Sequence, residues 1–414
     1  MHNLSVSDAL NEVLKHKQTK QLERVPLHSS LNRVLAEDVV ANRNHPPYDV
    51  SAMDGYAVRF DDVQHATTEN PVSLKVVDDI RAGQMPNIKV LQGRAARIMT
   101  GAPIPQGVDT VIRCEDTQDD GSSVLVLTAA PQAANIRSMG ENLMDGQTLL
   151  TQGTTITPGV LAILAMVKQK NVSVFAKPRV AILSTGDELE ALDDVIDENK
   201  IPDANSHALY AQCKALGIEA TLLGIAHDNP IELRAKLAEG LTYDVLLASG
   251  GVSVGHHDFM RSTLDTLGVS MHFWRVAMRP GHPLAFGTTQ DGVAIFGLPG
   301  NPVSSMVCFE QFVSPYLRQA MGFNACYRRT VEARLGHDFN DRLGRAHFVR
   351  VVLARDAQGY VAYSTGTQGS GVLMSMAVAQ AFVMVPEDVE GFKAGDHIQV
   401  QLLQGMDFQQ DMML

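Results

Sequence analysis

The sequence predicts a multidomain protein of mixed α/β and β class. A helical domain is interrupted by an inserted β-domain, and a doubly wound α/β domain with a mostly parallel sheet and a small barrel-like C-terminal β-domain follow. Two observations predict this class. The chain has 414 residues, enough for about two to four domains of ordinary size. In addition, the hydrophobic pattern changes its period several times along the chain.

The predicted helical domain consists of residues 1–45 and 140–177. Ser5 is a candidate N-cap, and the apolar residues that follow it recur at helical spacing. A second helix is predicted over residues 158–167, because Pro158 suits the first turn of a helix and the rest of this segment is apolar. These two helices define the helical domain on either side of the insertion.

Two other segments are predicted to be β-structure, namely the inserted domain at 46–139 and the C-terminal domain at 328–414. Both contain short runs rich in β-branched residues, and Gly, Pro and Asp separate the runs. The runs lie at residues 72–77, 123–127, 347–353, 361–363 and 381–385. Short strands between turn signals therefore predict two small β-domains.

The segment at 178–327 alternates strands with helices, which is typical of βαβ units and a parallel sheet. Strands are predicted at 180–183, 220–223 and 244–248, and helices at 206–216, 230–239 and 258–267. The ligand crevice of such a sheet lies at the carboxyl ends of its strands.

Composition excludes several classes of protein. The net charge of −12 argues against a basic nucleic-acid footprint over the whole chain. The four cysteines form no Cys-x-x-Cys pair, which argues against a thiolate zinc site or a redox pair. The longest apolar run, around residues 160–167, is far shorter than the roughly 18 residues of a membrane helix. Without a signal-peptide pattern at the N-terminus, the expected location is the cytoplasm.

Polar loops follow two of the predicted strands. The first loop, at 184–188, contains Asp187 and Glu188, which suit a hard cation such as Mg²⁺, although a turn with a helix N-cap would explain them equally well. The second, at 248–258, contains three glycines and is suited to binding a phosphate with backbone amides. It matches neither the Walker A nor the G-x-G-x-x-G spacing, and a plain Gly-rich connection is the alternative.

Two further segments lie near strand ends. At 296–302, Asn301 is the expected N-cap of a helix, and the prolines around it favour a rigid loop that presents amides to an oxyanion. Arg275 and Arg279 have guanidinium groups suited to a phosphate or another tetrahedral oxyanion, or they are solvated surface residues. The stiff loop at 46–58 contributes one more acid, Asp54, without an assigned partner.

The residues alone therefore indicate a phosphate- or oxyanion-binding protein with a carboxylate-rich metal site. The acids that we expect near the strand ends of one sheet are Asp187, Glu188, Asp228 and Asp258. Such a set suits Mg²⁺-assisted cleavage or transfer at a phosphoryl group.

At these loops the chain resembles the molybdopterin molybdenumtransferases, the MoeA family that includes the gephyrin E domain. The likeness is carried by Pro-Pro-Tyr-Asp-Val-Ser-Ala-Met-Asp-Gly-Tyr-Ala-Val at 46–58, Met-Thr-Gly-Ala-Pro at 99–103, Ser-Thr-Gly-Asp-Glu-Leu at 184–189, Ser-Gly-Gly-Val-Ser-Val-Gly at 249–255 and Gly-Leu-Pro-Gly-Asn-Pro at 297–302. Five long motifs in this order are far more specific than a lone Gly-rich loop. The resemblance covers nearly the whole chain.

The resemblance implies an enzyme of molybdenum cofactor biosynthesis. Such an enzyme inserts molybdenum from molybdate into adenylylated molybdopterin with Mg²⁺ as cofactor, and releases AMP. It also implies an elongated homodimer with an active site shared between subunits. The upstream pterin adenylyltransferase and molybdopterin synthase are candidate partners, and neither nucleic acid nor a membrane is expected.

Site residues are carried over from the family motifs by position. The catalytic residues are Asp54, Thr100, Glu188, Asp228 and Asp258, and the metal ligands are Glu188, Asp228 and Asn142. The substrate-binding residues are Ser184, Thr185, Gly186, Asp187, Asp203, Asn205, Ser249, Gly250, Gly251, Val252, Ser253, Arg275, Arg279, His282, Pro299, Gly300, Asn301 and Pro302.

Four positions depart from the family pattern. Arg275, Arg279 and His282 stand where the family commonly has Lys, and Asn142 stands where it usually has Asp. Both arginines keep the positive charge and add a planar fork of donors. Two other functions stay open for the whole chain: a pterin adenylyltransferase, and a non-catalytic scaffold that uses a gephyrin-like dimer.

Overall fold

The structure, a computed structural model, describes residues 3–16, 21–251 and 259–403. Contacts between residues divide the chain into two compact units. The first unit contains Met1–Arg24 and Ser173–Leu414, and the second contains Val25–Val172. Within the described ranges, no helix combines the length and apolarity that crossing a membrane requires. The boundaries of the four predicted domains stay a prediction.

The first helix, α1 (Val6–Lys15), belongs to the first unit. Its N-cap is the predicted one, because the Ser5 hydroxyl accepts a hydrogen bond of 3.1 Å from the amide of Asp8. Ala9 and Val13 are fully buried and belong to the hydrophobic core that also contains the central strands of the α/β domain. The helix therefore packs on the α/β domain, although the sequence analysis grouped it with residues 140–177.

The second unit is mostly β-structure. In chain order the elements from its beginning to its end are β1 (Leu22–Pro26), β2 (Val39–Val40), β3 (Val50–Ser51), β4 (Gly55–Val58), α2 (Phe60–Val63), β5 (Val72–Ile80), β6 (Arg94–Ile98), β7 (Thr110–Arg113), β8 (Thr117–Asp119), β9 (Ser123–Val126), β10 (Ile136–Arg137), β11 (Thr148–Leu150), α3 (Pro158–Met166) and β12 (Asn171–Phe175). Six strands form one sheet in the order β7-β4-β6-β5-β9-β8. Alternate residues of β4 point to opposite faces, so that Tyr56 and Val58 join one apolar cluster and Ala57 joins another.

The segments that flank this sheet in the second unit contain one α-helix and several short strands. Helix α3 is confirmed, with Pro158 in its first turn and Thr157 as its N-cap. The other regular elements on either side of the sheet are mainly two-stranded antiparallel ladders, β3 with β10 and β2 with β11. These ladders join residues far apart in sequence, which local periodicity does not reveal.

The α/β domain follows with alternating strands and helices, as predicted. Its elements are β13 (Val180–Thr185), β14 (Leu189–Glu190), β15 (Ile201–Pro202), α4 (Ala204–Ala215), β16 (Ala220–Ala226), α5 (Pro230–Gly240), β17 (Val245–Ser249), α6 (Phe259–Thr266), β18 (Ser270–Phe273), β19 (Met278–Arg279), β20 (Ala285–Thr288), β21 (Ala294–Leu298), α7 (Pro302–Cys308) and α8 (Ser314–Ala320). The sheet order is β16-β13-β17-β21-β20-β18, in which the first four strands are parallel and only β20 is reversed, antiparallel to both β21 and β18. The prediction of a mostly parallel sheet is confirmed.

The carboxyl ends of three central strands lie side by side in this sheet. Ser184 on β13 is paired with Ser249 on β17, and Ser249 is paired with Leu298 on β21. Because the strands are parallel and end in register, the polar loops that follow them meet at one edge. This register brings three of the predicted loops together.

The C-terminal domain is a closed barrel of five strands. Its elements are β22 (Thr330–Leu335), β23 (Phe339–Asn340), β24 (Ala346–Asp356), β25 (Gly359–Ser364), α9 (Met374–Ala377), β26 (Ala381–Val385), β27 (Gly391–Phe392) and β28 (His397–Leu402). The ring runs β24-β25-β22-β28-β26 and closes through pairing of β26 with β24. Strand β19 adds to β24 in parallel, with Arg279 opposite His347. The barrel therefore supports one side of the loops at the sheet edge.

Candidate active site

A cavity of about 800 Å³ opens where the strand-end loops of the α/β sheet meet the barrel, inside the first unit. Its lining combines carboxylate, amide, guanidinium and imidazole groups with several prolines and glycines. The lining residues that the sequence analysis named are Glu188, Asp203, Asn205, Arg279, His282, Pro299, Gly300, Asn301 and Pro302. The volume and the mixed lining suit a sizeable polar ligand.

Arg279 is held in place by a carboxylate of the barrel domain. Its Nη2 donates to Oδ1 of Asp341, and the other oxygen of Asp341 accepts a 2.8 Å hydrogen bond from Nδ1 of His347. The Asp341 side chain is only 4% exposed, so the ion pair is shielded on the carboxylate side. Burial lowers the pKa of His347 although Asp341 opposes the shift, which favours a neutral imidazole. The guanidinium of Arg279 is thus fixed at the cavity wall.

Two more nitrogen-bearing side chains line the same wall. Nδ1 of His282 is 2.7 Å from the carbonyl oxygen of Val276, which can only accept, so Nδ1 is the donor and Nε2 can carry the lone pair. Arg345, from the loop before β24, adds a second guanidinium. We call Arg279, His282 and Arg345 the basic wall.

The glycine loop after β17 approaches the end of β13 closely. Gly250 and Gly251 have φ angles of +90° and +63°, and a Cβ atom at Gly250 would lie 2.4 Å from the backbone oxygen of Thr185. Only glycine fits such a position without moving the backbone. Ser184, Thr185 and Ser249 are buried beneath the loops and support them from within the sheet. They are not among the described residues that line the cavity.

Asn205 connects the neighbouring loops. Its Nδ2 donates to the Ser249 hydroxyl at 2.8 Å and to the Gly300 carbonyl at 2.7 Å. Its Oδ1 is buried and has no hydrogen-bond partner among the residues that the structure describes. Asp203 caps α4 by accepting a 3.1 Å hydrogen bond from the amide of Ser206. The sequence assigned both side chains to substrate binding, and the geometry gives both a role in shaping the cavity.

The expected capping role of Asn301 is only partly correct. Asn301 occupies the N-cap position of α7, with Pro302 in the first turn, but its side chain makes no capping hydrogen bond. The carbonyl of Asn301 accepts the 3.0 Å bond from the amide of Ser305. The amide side chain is exposed and lines the cavity, so it is available to a ligand.

The predicted acids are distributed unevenly around the cavity. Glu188 lines it and is exposed. A Cβ atom at Gly186 would lie 2.4 Å from a carboxylate oxygen of Glu188, so the glycine leaves room for this carboxylate beside the backbone. Asp187 instead accepts a 3.0 Å hydrogen bond from the amide of Asp228, and neither residue lines the cavity. Asp258 lies outside the described residues, as do Val252 and Ser253.

Arg275 and Arg279 differ although they are four residues apart. Arg275 is exposed and is not among the described residues that line the cavity, whereas Arg279 is half-buried and lines it. The turn between them places only Arg279 on β19 beside the barrel.

Asp54 and Thr100 form a pair within the second unit. Oδ1 of Asp54 accepts hydrogen bonds of 2.7 Å from both the amide and the hydroxyl of Thr100. The backbone bond and then the hydroxyl bond lower the pKa of Asp54, which keeps this exposed carboxylate ionised. Asn142 is also in the second unit and is exposed. Its backbone amide donates a 3.0 Å hydrogen bond to the carbonyl of His45.

The sequence analysis missed the contribution of the barrel. Arg345 and the residues 368–370 line the cavity, and Arg350 lies buried behind residue 369. Nη2 of Arg350 donates to the Gly369 carbonyl at 3.1 Å, and burial lowers the pKa of its guanidinium to about 10, so it is still charged at neutral pH. The sequence did contain a signal for Arg350, namely a cation within an apolar strand. Burying a charge is costly, so such a residue deserves to be considered for a functional role.

Family models match three consecutive parts of the chain. Residues 4–167 match the "MoeA N-terminal region (domain I and II)", residues 181–319 match the "Probable molybdopterin binding domain", and residues 332–403 match the "MoeA C-terminal region (domain IV)". Together they span most of the chain.

Similar proteins and solved structures cover nearly the full length. The molybdopterin molybdenumtransferase of Bacillus subtilis is 36% identical over 97% of this chain and 94% of its own. That of Staphylococcus epidermidis is 33% identical over 99% and 98%. The crystal structure of the molybdopterin biosynthesis MoeA protein from Pyrococcus horikoshii is 30% identical, with a TM-score of 0.83 over 97% of this chain and 100% of that one. With its sequence motifs, its domain matches and its fold in agreement, the chain belongs to the MoeA family.

Proposed function

We propose that this protein is a molybdopterin molybdenumtransferase of molybdenum cofactor biosynthesis. Its substrates are molybdate and adenylylated molybdopterin, and its products are molybdenum-molybdopterin and AMP. The observation that carries the proposal is one cavity that combines a basic wall, the Pro-Gly-Asn-Pro loop at 299–302 and the carboxylate of Glu188. Full-length relatives with this activity in their names support the reaction.

The loops at the sheet edge suit the pterin nucleotide. Gly250 and Gly251 let the loop after β17 pack closely on Thr185, and glycine-rich loops at strand ends commonly bind phosphate groups with their backbone amides. The exposed side-chain amide of Asn301, which lines the cavity, offers polar contacts to a heterocycle. The cavity of about 800 Å³ is within the range of small-molecule sites.

The basic wall suits molybdate, a doubly charged tetrahedral anion. Arg279 presents a guanidinium that Asp341 has already oriented, which lowers the entropic cost of binding. Arg345 adds a second positive charge to the same wall. The buried charge of Arg350 behind this wall raises the local potential further. Arg275 is exposed and is not among the described residues that line the cavity, so we expect it to contribute less to molybdate binding.

Mg²⁺ suits the carboxylate that Glu188 offers to the cavity. Glu188 offers an exposed carboxylate, and it has no hydrogen-bond partner within the described ranges. Mg²⁺ commonly takes one or two protein carboxylates and completes its shell with water and substrate phosphate oxygens. When bound, the ion would neutralise charge that develops on the pyrophosphate. Glu188 would hold it together with Asp228, and the family resemblance alone adds Asn142 as a metal ligand.

We also propose that the enzyme acts as a cytoplasmic homodimer. In this arrangement Asp54 and Thr100 of one subunit complete the site around Glu188 of the other. The low pKa of Asp54 keeps an ionised carboxylate available for that role.

An assay of AMP release from adenylylated molybdopterin tests the proposal. AMP release should require molybdate and Mg²⁺, so omitting either one should abolish turnover. ATP consumption with metal-free molybdopterin would instead indicate a pterin adenylyltransferase. A folded protein without either activity would leave the scaffold as the function.

A further inference from the structure

A second group of ligating side chains lies in the first unit, on residues that do not line the active-site cavity. Glu12 of α1, the C-cap residue His16 and His272 of β18 each place one ligand atom within 4.8 Å of the others. All three side chains are half-buried. Within the ranges that the structure describes, this is the one group of three or more His, Cys, Asp or Glu side chains with this geometry.

The helix brings two of the three together. Residues 12 and 16 are four apart and therefore share one face of α1. Nε2 of His16 is 3.1 Å from Oε1 of Glu12, while the other carboxylate oxygen is 3.0 Å from Nζ of Lys15. A cation can take the place of the proton between Oε1 and the imidazole without breaking the contact to Lys15.

His272 arrives from the edge of the sheet with one nitrogen already engaged. Its Nε2 is 3.0 Å from Oγ1 of Thr288 on β20. The tautomer in which Nε2–H donates to Thr288 leaves the lone pair on Nδ1. Metal-bound histidines usually make such a second hydrogen bond, because it fixes the orientation and tautomer of the ring. The rings of His16 and His272 also stack, with centroids 3.8 Å apart.

Solvent space adjoins the group. A cavity of about 660 Å³ is lined by Glu12 and His272, together with Leu4, Asp8, Asn11, Leu14 and Lys15. An ion can therefore reach the carboxylate and one imidazole without opening the core.

We propose that Glu12, His16 and His272 bind a divalent transition-metal ion of the Zn²⁺ type, and that the ion ties the end of α1 to β18. Two imidazoles and one carboxylate suit Zn²⁺ and its neighbours, whereas Mg²⁺ and Ca²⁺ prefer oxygen ligands alone. Ligand atoms around Zn²⁺ lie about 3.3 Å apart, and an imidazole lone pair lies in the plane of its ring. Binding therefore requires the stacked rings of His16 and His272 to rotate apart, with shifts of the ligand atoms of roughly 1 Å. This site is independent of the proposed transferase reaction.

Zinc titration of the full-length, tag-free, metal-stripped protein tests the site. Calorimetry in excess Mg²⁺ should give one Zn²⁺ bound tightly per chain. Glu12→Gln, His16→Ala and His272→Ala should each weaken that binding at least about tenfold, since each removes a ligand. His397→Ala is the matched control, because His397 also bonds a glutamate, Glu332, at 2.6 Å but on the barrel surface. It should bind Zn²⁺ like the wild type.

A thermal melt gives an independent measure. Saturating Zn²⁺ should raise the melting temperature of the wild type and of His397→Ala by about 2 °C or more, and should leave the double variant His16→Ala/His272→Ala unchanged. Bound Co²⁺ should show the absorption of a nitrogen- and oxygen-ligated ion only when both histidines are present. Equal Zn²⁺ affinity in wild type, His16→Ala and His272→Ala, or no Zn²⁺ binding by the wild type, would overturn the proposal and leave a hydrogen-bonded histidine stack.

Discussion

The basic wall and the loop that carries Glu188 line the same cavity, but the protein supports them differently. Arg279 is fixed by Asp341, which His347 holds in turn. Glu188 is exposed and has no such partner in the described part of the chain. A preorganised cation wall suits a small anion that must be selected and oriented. A free carboxylate suits a hydrated Mg²⁺ that arrives with its substrate phosphate.

The first test neutralises the carboxylates of Glu188 and Asp228. Glu188→Gln should lower AMP release on the order of 100-fold and raise the Mg²⁺ concentration needed, because a ligand of the ion is lost. Asp228→Asn should have a smaller effect, about tenfold, since Asp228 does not line the cavity. Steady-state rates against Mg²⁺ concentration measure both. Glu239→Gln, an exposed glutamate of α5, is the control that should behave as wild type. Wild-type kinetics in Glu188→Gln would remove the metal role from this loop.

The second test separates the two arginines. Arg279→Ala should raise the molybdate concentration for half-maximal rate about 10- to 150-fold, since a lost charge-assisted contact costs about 1.5–3 kcal/mol. Arg275→Ala should change it less than about threefold, because Arg275 is exposed outside the lining. Molybdate titrations of AMP release measure the difference. Equal effects from both variants would mean that the basic wall does not select the anion.

The third test compares two glycines of the cavity. Gly281 has φ +105°, and a Cβ atom there would lie 2.6 Å from Sγ of Cys308, so Gly281→Ala should destabilise the protein by about 2 kcal/mol. At Gly300 the nearest atom to an added Cβ is 3.9 Å away, so Gly300→Ala should stay within about 0.5 kcal/mol of wild type. Its methyl group should nevertheless raise KM for the pterin nucleotide. Urea unfolding and kinetics separate the two outcomes, and a stable Gly281→Ala would show that the basic wall is not tightly packed.

The fourth test asks which subunit supplies each acid. Asp54→Ala and Glu188→Ala chains, each nearly inactive alone, are combined into verified heterodimers. If the sites are shared, one site receives both defects and the other receives neither, so about half the wild-type rate should return. Homodimers of each variant serve as controls. Heterodimers without any rescue would place Asp54 and Glu188 of one chain in the same site.

Much of the fold could be predicted from local pattern. The strand runs at 180–183 and 244–248 are confirmed as β13 and β17, since continuous apolar runs between turn residues have few other solutions. The N-cap at Ser5 is confirmed for the same reason, because it depends on nearest neighbours. The one helix predicted within residues 140–177 is confirmed as α3, whereas the ladder of β11 with β2 in the same segment was not predicted.

The candidate site was predictable only in part. Glu188, Arg279 and Pro299 were named in advance and line the cavity, because strand-end loops of a parallel sheet meet at one edge. Arg345, which lines the cavity, and Arg350, which is buried behind residue 369, were missed, since both belong to a domain whose sequence predicts only strands.

By itself the sequence determined the order of the elements, the polar loops at the strand ends and the membership of the family, because these depend on residue type and local spacing. Only the tertiary structure decided which charges meet. Asp341 is 62 residues from Arg279 in sequence, and His272 is 256 residues from His16, yet both pairs are in contact. Hydrogen bonds and ring contacts act over a few ångströms, so their partners are set by strand register and helix packing and leave no periodic trace in the chain.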